Sequence, residues 1–202
     1  MLKMYPQPLD LILFHSSDGV SRIIEYVQKE RIGRGDYSHC GLVVLSSWFP
    51  HLADQPETLY LWDSIMDTRG IGSRLVPLQE AIDDYVKWFP DARVASCALL
   101  HPPTVEPGPP LARLYGQYYD ASYNLCCLCC AAFPFMRRFQ CKSKHDKSVF
   151  CSEMVALAYQ ALGIIGPNVD TSHVIPLDFL GNDEDGLPRL VGEPVVLISK
   201  PS

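Results

Sequence analysis

The chain has 202 residues, 48% of them hydrophobic and 20% charged, with 17 Lys and Arg against 23 Asp and Glu for a formal charge of −6. That length gives one domain room for a sizeable core, and the composition is that of a globular chain rather than a disordered one. The negative balance supplies no phosphate-neutralising basic face, which argues against a nucleic-acid-binding module.

The opening MLKMYPQPLDLILFH does not read as a signal peptide. Its apolar core, Leu11 to Phe14, is shorter than the ~7–15 residues of an h-region, and Pro6 and Pro8 interrupt the approach. No apolar run reaches the ~18 residues of a membrane span, Leu125 to Phe135 coming nearest. Eight cysteines in a chain read without a secretion signal point to reduced thiols in a cytoplasmic setting rather than a disulfide framework.

In chain order, Asp10 to Phe14 is a short apolar run of strand length. Ser21 to Arg31 follows helical periodicity, with Ile23, Ile24 and Val27 on one face, Ser17 or Asp18 as cap, and Gly33 and Gly35 as stop. Gly41 to Leu45 and Thr58 to Ser64 are strand-like and joined by a loop, which predicts an antiparallel pair. Pro77 to Phe89 reads as a helix carrying Leu78, Ile82, Tyr85 and Val86, and Arg93 to Leu100 as a further strand. Residues 101–110 hold five prolines, so they are expected to form an irregular connector. Leu111 to Tyr119 reads as a helix, residues 120–149 give no clear pattern, and Ser152 to Leu162 is a helix that Gly163 ends. Val174 to Leu180 and Val195 to Ser199 are late strand or loop candidates, and an acidic turn spans 182–186. No internal repeat is present, and residues 1–202 are expected to form one domain.

The helix beginning near Phe150-Cys-Ser-Glu carries a thiol in its first turn. Free N–H groups and the positive end of the helix dipole lie there, and both favour an anion. A thiol so placed has a lowered pKa, and the thiolate is the nucleophile; the bland alternative is a small buried side chain. A cysteine nucleophile needs a base, and His39 stands out among the histidines. It sits in Asp36-Tyr-Ser-His-Cys-Gly-Leu-Val-Val44, at the entry to a buried strand. His51, His101 and His145 fall in loops, while His15 and His173 are either satisfied polar groups or substrate contacts. In the next strand Asp63 places a carboxylate among apolar residues, which is costly unless it is paired. A hydrogen bond to His39 would satisfy it; a strand end meeting solvent would do so equally.

Leu125-Cys-Cys-Leu-Cys-Cys130 has three readings. With Cys141 and His145 it offers Cys127-x2-Cys130-x10-Cys141-x3-His145, a zinc-like ligand spacing, although the interval between is apolar and bulky. Beside Arg137-Arg138 it suits reversible acylation and a peripheral membrane contact through 125–141. The simplest reading is an apolar insert packing near the site.

In order, Asp10-Leu-Ile-Leu, Tyr37-Ser-His-Cys-Gly-Leu-Val, Leu61-Trp-Asp-Ser, Gly116-Gln-Tyr-Tyr-Asp120 and Phe150-Cys-Ser-Glu-Met-Val155 resemble the YiiX-like branch of the permuted NlpC-type papain-fold hydrolases. The resemblance spans roughly Leu9 to Pro176. It implies an α+β fold, circularly permuted and papain-like, in which an antiparallel sheet packs against the helix bearing the nucleophile. It also implies Cys151 as nucleophile, His39 as base and Asp63 as third group, where relatives commonly have glutamate. Tyr119, with Tyr37 and Ser152, would meet the substrate, and no metal or other cofactor is implied. Relatives usually have Gly-Asp near the start where this chain has Leu9-Asp10, so that turn is expected to differ. The resulting expectation is a cysteine hydrolase or acyltransferase acting on a lipid-like or peptide amide or ester. The alternative is a catalytically silent binding protein on the same fold.

Overall fold

The computed structural model describes residues 5–67, 70–122, 148–181, 187 and 189–200. Among them run six strands, β1 (Leu11–His15), β2 (His39–Leu45), β3 (Leu59–Asp67), β4 (Gly70–Pro77), β5 (Arg93–Cys97) and β6 (Val195–Ser199). Four α-helices accompany them, α1 (Gly19–Ile32), α2 (Leu78–Trp88), α3 (Gly108–Tyr118) and α4 (Cys151–Ala161). The Cys-rich run and insert at 125–141, the ligand set completed by Cys141 and His145, and the acidic turn at 182–186 lie outside the described residues.

The strands make one sheet in the order β4-β3-β2-β1-β5-β6, with every neighbouring pair antiparallel. The architecture is therefore α+β. Side chains alternate between the faces of a strand, and here both faces are covered. Leu11, Leu13, Cys40, Leu42, Val44, Trp62, Ala95 and Cys97 join the cluster built around α4. Ile12, Phe14, Val43, Leu61 and Val94 join the smaller one against α2. Burial on two sides explains why β1 and β2 read as continuous apolar runs instead of alternating ones.

Helix α1 starts as the sequence implies. Asp18 accepts from the backbone N–H of Ser21, the N-cap bond that satisfies one orphan donor of the first turn. Its apolar face is narrower than expected, because Ile24 and Val27 are buried while Ile23 is exposed. Helix α3 begins inside the Pro-rich stretch, with prolines in its first turn, where a missing N–H removes no helical bond. Residues 174–180 are not a strand: they leave one 3₁₀ turn, Thr171–His173, and enter another, Pro176–Leu180. Helix α4 is buried nearly all round rather than on one stripe. It ends where expected, at Gly163 with φ 69°, which donates to the Gln160 carbonyl while Ile164 donates to Tyr159.

The turn before β1 is built on an exception. Leu9 has φ 73°, a left-handed conformation that glycine adopts freely and that costs other residues roughly 1–2 kcal/mol. Three contacts hold it there. Its N–H donates to Val43 O at 2.7 Å, its carbonyl accepts from the Tyr159 hydroxyl at 3.0 Å, and its side chain is buried in the larger cluster. The departure from Gly-Asp thus leaves glycine's conformation in place with leucine in it. Replacing Leu9 should accordingly invert the ordinary order of tolerance. Leu9→Gly is expected to be more stable than Leu9→Ala by about 1 kcal/mol, whereas Leu13→Gly should be less stable than Leu13→Ala, as read from urea unfolding midpoints.

Candidate active site

Strand β2 opens at His39, and that position decides where the imidazole can go. Alternation puts His39 on the same face as Gly41 and Val43, and its ring lies 5.2 Å from that of Phe14. No strand residue precedes it to block the end of the sheet, and the ring and Cys151 of α4 bear on each other's charge. The imidazole therefore sits where the two packed layers meet, with its side chain 13% exposed.

Helix α4 is delivered to this point by a change of partner along β3. The β2–β3 ladder runs from Leu45↔Leu59 to Gly41↔Asp63 and ends there, while β3 continues against β4 to Asp67↔Gly70. Beyond the ladder's end, the Ser64 hydroxyl donates to the Val149 carbonyl at 2.7 Å. The chain entering α4 thus replaces β2 as the neighbour of this part of β3. The first helical bond, from Met154 N–H to Phe150 O, leaves the N–H groups of Cys151 to Glu153 outside the helix ladder.

Asp63 is fully buried in the middle of β3, not at a strand end. Its Oδ2 accepts from His39 Nε2 at 3.0 Å. On the other side Arg74 of β4, its cross-strand partner, forks onto the carboxylate with Nε to Oδ1 at 2.7 Å and Nη2 to Oδ2 at 3.1 Å. The short aspartate arm reaches because Gly41 lies opposite it. A Cβ at 41 would come within 2.7 Å of Leu61 Cδ1 and 3.0 Å of Asp63 Cβ. Arg74 was not legible as a site residue, since Gly70–Pro77 lacks the alternating apolar pattern of a strand and its pairing is cross-strand.

The charges follow from these contacts. Burial alone would raise the Asp63 pKa, but the hydrogen bond from His39 and the Arg74 guanidinium outweigh it and lower the value to about 2. Burial would likewise lower the His39 pKa; the Cys151 charge and the Asp63 carboxylate reverse this and raise it to about 9. Cys151 is held well below an ordinary thiol, first by the hydrogen bond from the Cys40 thiol and then, against the opposing effect of burial, by His39. With Nε2–H committed to Asp63, Nδ1 is the nitrogen left for the sulfur. These shifts favour a thiolate beside an imidazolium, with an ionised carboxylate on the imidazole; such a combination can attack an electrophilic carbon and return a proton to a leaving group.

The other expected site residues are distributed differently. Ser152 is buried and its hydroxyl donates to the Val174 carbonyl at 2.7 Å, a structural bond rather than an open substrate contact. Tyr37 is also buried, with the Arg93 guanidinium 5.1 Å from its ring centroid. Tyr119 is 57% exposed at the end of a row of rings that runs from Trp62 through Tyr115. Of the remaining histidines, His15 pairs with Glu25, and His51 stacks on Tyr115 at 5.1 Å.

Removing one member of a buried ion pair leaves a charge uncompensated, which costs several kcal/mol; removing both costs less. Arg74→Gln should destabilise the fold by roughly 1–3 kcal/mol, and adding Asp63→Asn should restore part of that loss, as measured by chemical denaturation. The pH dependence has two parts. The stability from Asp63 is present above its unfolded value of ~3.8 and lost as pH falls through about 2. That from His39 is fully present below its unfolded value of ~6.5 and lost as pH rises through about 9.

No family model matches the chain, and no curated protein matches it. Among solved structures it is similar to the crystal structure of metalloprotein yiiX from Escherichia coli O157:H7, with 16% identity and a TM-score of 0.52 over 97% of this chain and 98% of that one. At that identity the likeness is one of fold, and the chain has a YiiX-like fold.

Proposed function

We propose that this protein is a cysteine-dependent hydrolase or acyltransferase on a circularly permuted papain-like scaffold, with Cys151 as nucleophile, His39 as acid and base, and Asp63 as the group that orients His39. The observation that carries this reading is the imidazole itself, hydrogen-bonded to a buried carboxylate and electrostatically paired with a thiol at a helix N-terminus. Permutation accounts for the chain order, because the histidine strand precedes the cysteine helix where papain-like chains have the reverse. The reading takes residues 1–202 as one domain, consistent with a core cluster that draws on residues from Leu9 to Val191.

In the proposed reaction the Cys151 thiolate adds to an amide or ester carbonyl. The oxyanion forms beside the N–H groups at the start of α4, where dipole and donors stabilise it. His39 then gives its proton to the leaving amine or alcohol, and a thioester remains on Cys151. Water or another acceptor, deprotonated by His39, resolves it. Asp63 holds the imidazole in place throughout, and Arg74 keeps Asp63 ionised. The apolar run from Leu125 to Phe135 in the sequence favours a lipid-like acyl group, with 125–141 as a peripheral membrane contact, and Tyr119 offers an exposed aromatic surface on the approach.

The neighbour yiiX is described as a metalloprotein, but the described residues of this site do not fit a metal ion. Among the described residues no group of three or more His, Cys, Asp and Glu is gathered as a metal ion requires. His39 Nε2 is taken by Asp63 and Asp63 by the Arg74 cation, which is a poor setting for a further positive charge.

Cys151→Ala should abolish covalent labelling by a thiol-directed acyl probe while leaving the far-UV circular dichroism unchanged; undiminished labelling would remove the proposal. The rate of Cys151 alkylation should already be at plateau near neutrality instead of rising through pH ~8.5 as for an ordinary thiol. Turnover of a fatty-acyl amide, ester or peptide panel should fall on the alkaline side near pH 9, where His39 loses its proton. An activated thiolate without turnover of any member would favour the silent binding protein.

A further inference from the structure

The imidazole of His39 is fixed at two points. Its Cβ belongs to the first residue of β2, and its Nε2 is bonded to Asp63 Oδ2 at 3.0 Å. A ring held at two points still turns about the line that joins them, and such a turn moves Nδ1 while barely changing the bond to Asp63. A third contact has to set the plane of the ring, and β2 does not supply it. The neighbour two places along, on the same face of the strand, is Gly41. A Cβ there would come within 3.0 Å of Asp63 Cβ and 2.7 Å of Leu61 Cδ1. The room that lets the short aspartate approach is therefore room in which nothing from β2 steadies the histidine.

The third contact comes from across the ladder. Phe14 of β1 is the register partner of His39, and directly opposed residues of an antiparallel pair bring their side chains closest on a sheet face. The two ring centroids are 5.2 Å apart with planes inclined at 39°, nearer to stacked than to perpendicular. Phe14 is fully buried and is itself held from α2. Tyr85 packs on it with centroids 4.7 Å apart, and Phe89 packs on Tyr85 at 4.6 Å. Four rings thus make one column, from the imidazole to the residue that ends α2.

We propose that Phe14 is a positioning residue for His39: its ring sets the plane of the imidazole, and with it the direction of Nδ1, and its π-face favours the protonated ring. The second effect follows from ring electrostatics. A cation within ~6 Å of an aromatic centroid is attracted by the negative face of that ring, and the separation here lies inside that limit. Apolar bulk without such a face acts the other way, since removal from water disfavours an imidazolium. An aliphatic side chain at position 14 keeps the burial and loses the attraction, so the two effects separate. The catalytic meaning rests on the acyl-transfer reading, in which the nitrogen not committed to Asp63 is the one that exchanges a proton. The plane of the ring then sets the direction in which that proton travels.

The test reads His39 directly, with or without turnover. The full-length chain is isotope-labelled at histidine Cε1, and the His39 resonance, assigned by its loss in His39→Gln, is followed against pH. In the parent chain, nuclear Overhauser contacts should join the ring protons of Phe14 and His39. Phe14→Leu and Phe14→Met, the latter because an unbranched chain fills irregular space, should each move the His39 midpoint down by about half a pH unit. Each should also lower kcat roughly tenfold on a turned-over acyl substrate, with KM little changed. Phe179 is equally buried but packs on Tyr159 in the other cluster, so Phe179→Leu should weaken the core without moving that midpoint. Absent Overhauser contacts, an unmoved midpoint in both Phe14 variants, or an equal movement in Phe179→Leu would overturn the proposal. A chain that turns over acyl substrates with an unmoved midpoint in both Phe14 variants would refute this inference alone. An inert chain whose His39 midpoint depends on Phe14 would refute only the acyl-transfer reading.

Discussion

A carboxylate with no solvent around it is the constraint on which the rest of the site depends. Taking an ion of this size out of water costs several kcal/mol even after relaxation, and Asp63 is wholly buried in the third strand. The cost is met from the two strands that flank β3. Arg74 supplies a two-pronged, charge-assisted contact, the strong form of such a bond, and His39 supplies the third. Gly41 contributes by having no side chain, since a Cβ there would press on both Leu61 and Asp63. Four residues on three adjacent strands are thus one electrostatic unit, and none can be exchanged without stranding another.

The sheet alone could not bring Cys151 under the influence of His39. That requires the helix terminus to meet the imidazole at an edge common to both packed faces. Two features arrange it: β2 begins at His39, which frees the ring to turn round the end of the sheet, and β3 outruns β2, which frees a segment of β3 to take Val149 as partner. Helix α4 is then held by packing on almost all sides, so the sulfur has little freedom of its own. Placing a reactive group on rigid, fully packed elements is what keeps its geometry productive.

Much of this was legible because some residues are expensive where they stand. A carboxylate in an apolar strand, a histidine at a strand entry and a thiol in the first turn of a helix each ask for a partner, and the partner can be named from types alone. His39, Asp63 and Cys151 could be singled out as candidates on that basis, while their grouping came from the family resemblance. Arg74 and Cys40 could not be, because neither is anomalous in its own stretch: an arginine in Gly-Ile-Gly-Ser-Arg breaks no pattern, and a cysteine in a buried strand is ordinary. Their importance lies in what the register sets beside them. The same limit applies to Val174 to Leu180, whose apolar residues are buried by tertiary context while the backbone turns in 3₁₀ steps. Leu9 is the reverse case, a residue whose side chain hides the glycine-like backbone it adopts.

The charges of the site form an alternating line, from Arg74 through Asp63 and His39 to Cys151, and the line bears on how the proposed chemistry divides its labour. An ionised aspartate acting alone on an imidazole makes it a firmer cation, and a cation held too firmly is a poor acid. Arg74 draws on the same carboxylate oxygen that His39 uses, so part of the Asp63 field is spent on the guanidinium. The result keeps Asp63 ionised and His39 fixed in orientation while moderating how tightly the proton is held. At the far end, Cys40 and His39 both act to lower the pKa of Cys151. An aspartate in place of the longer glutamate is then no handicap, since the arginine beside it reads the carboxylate from the strand that the shorter arm leaves within reach.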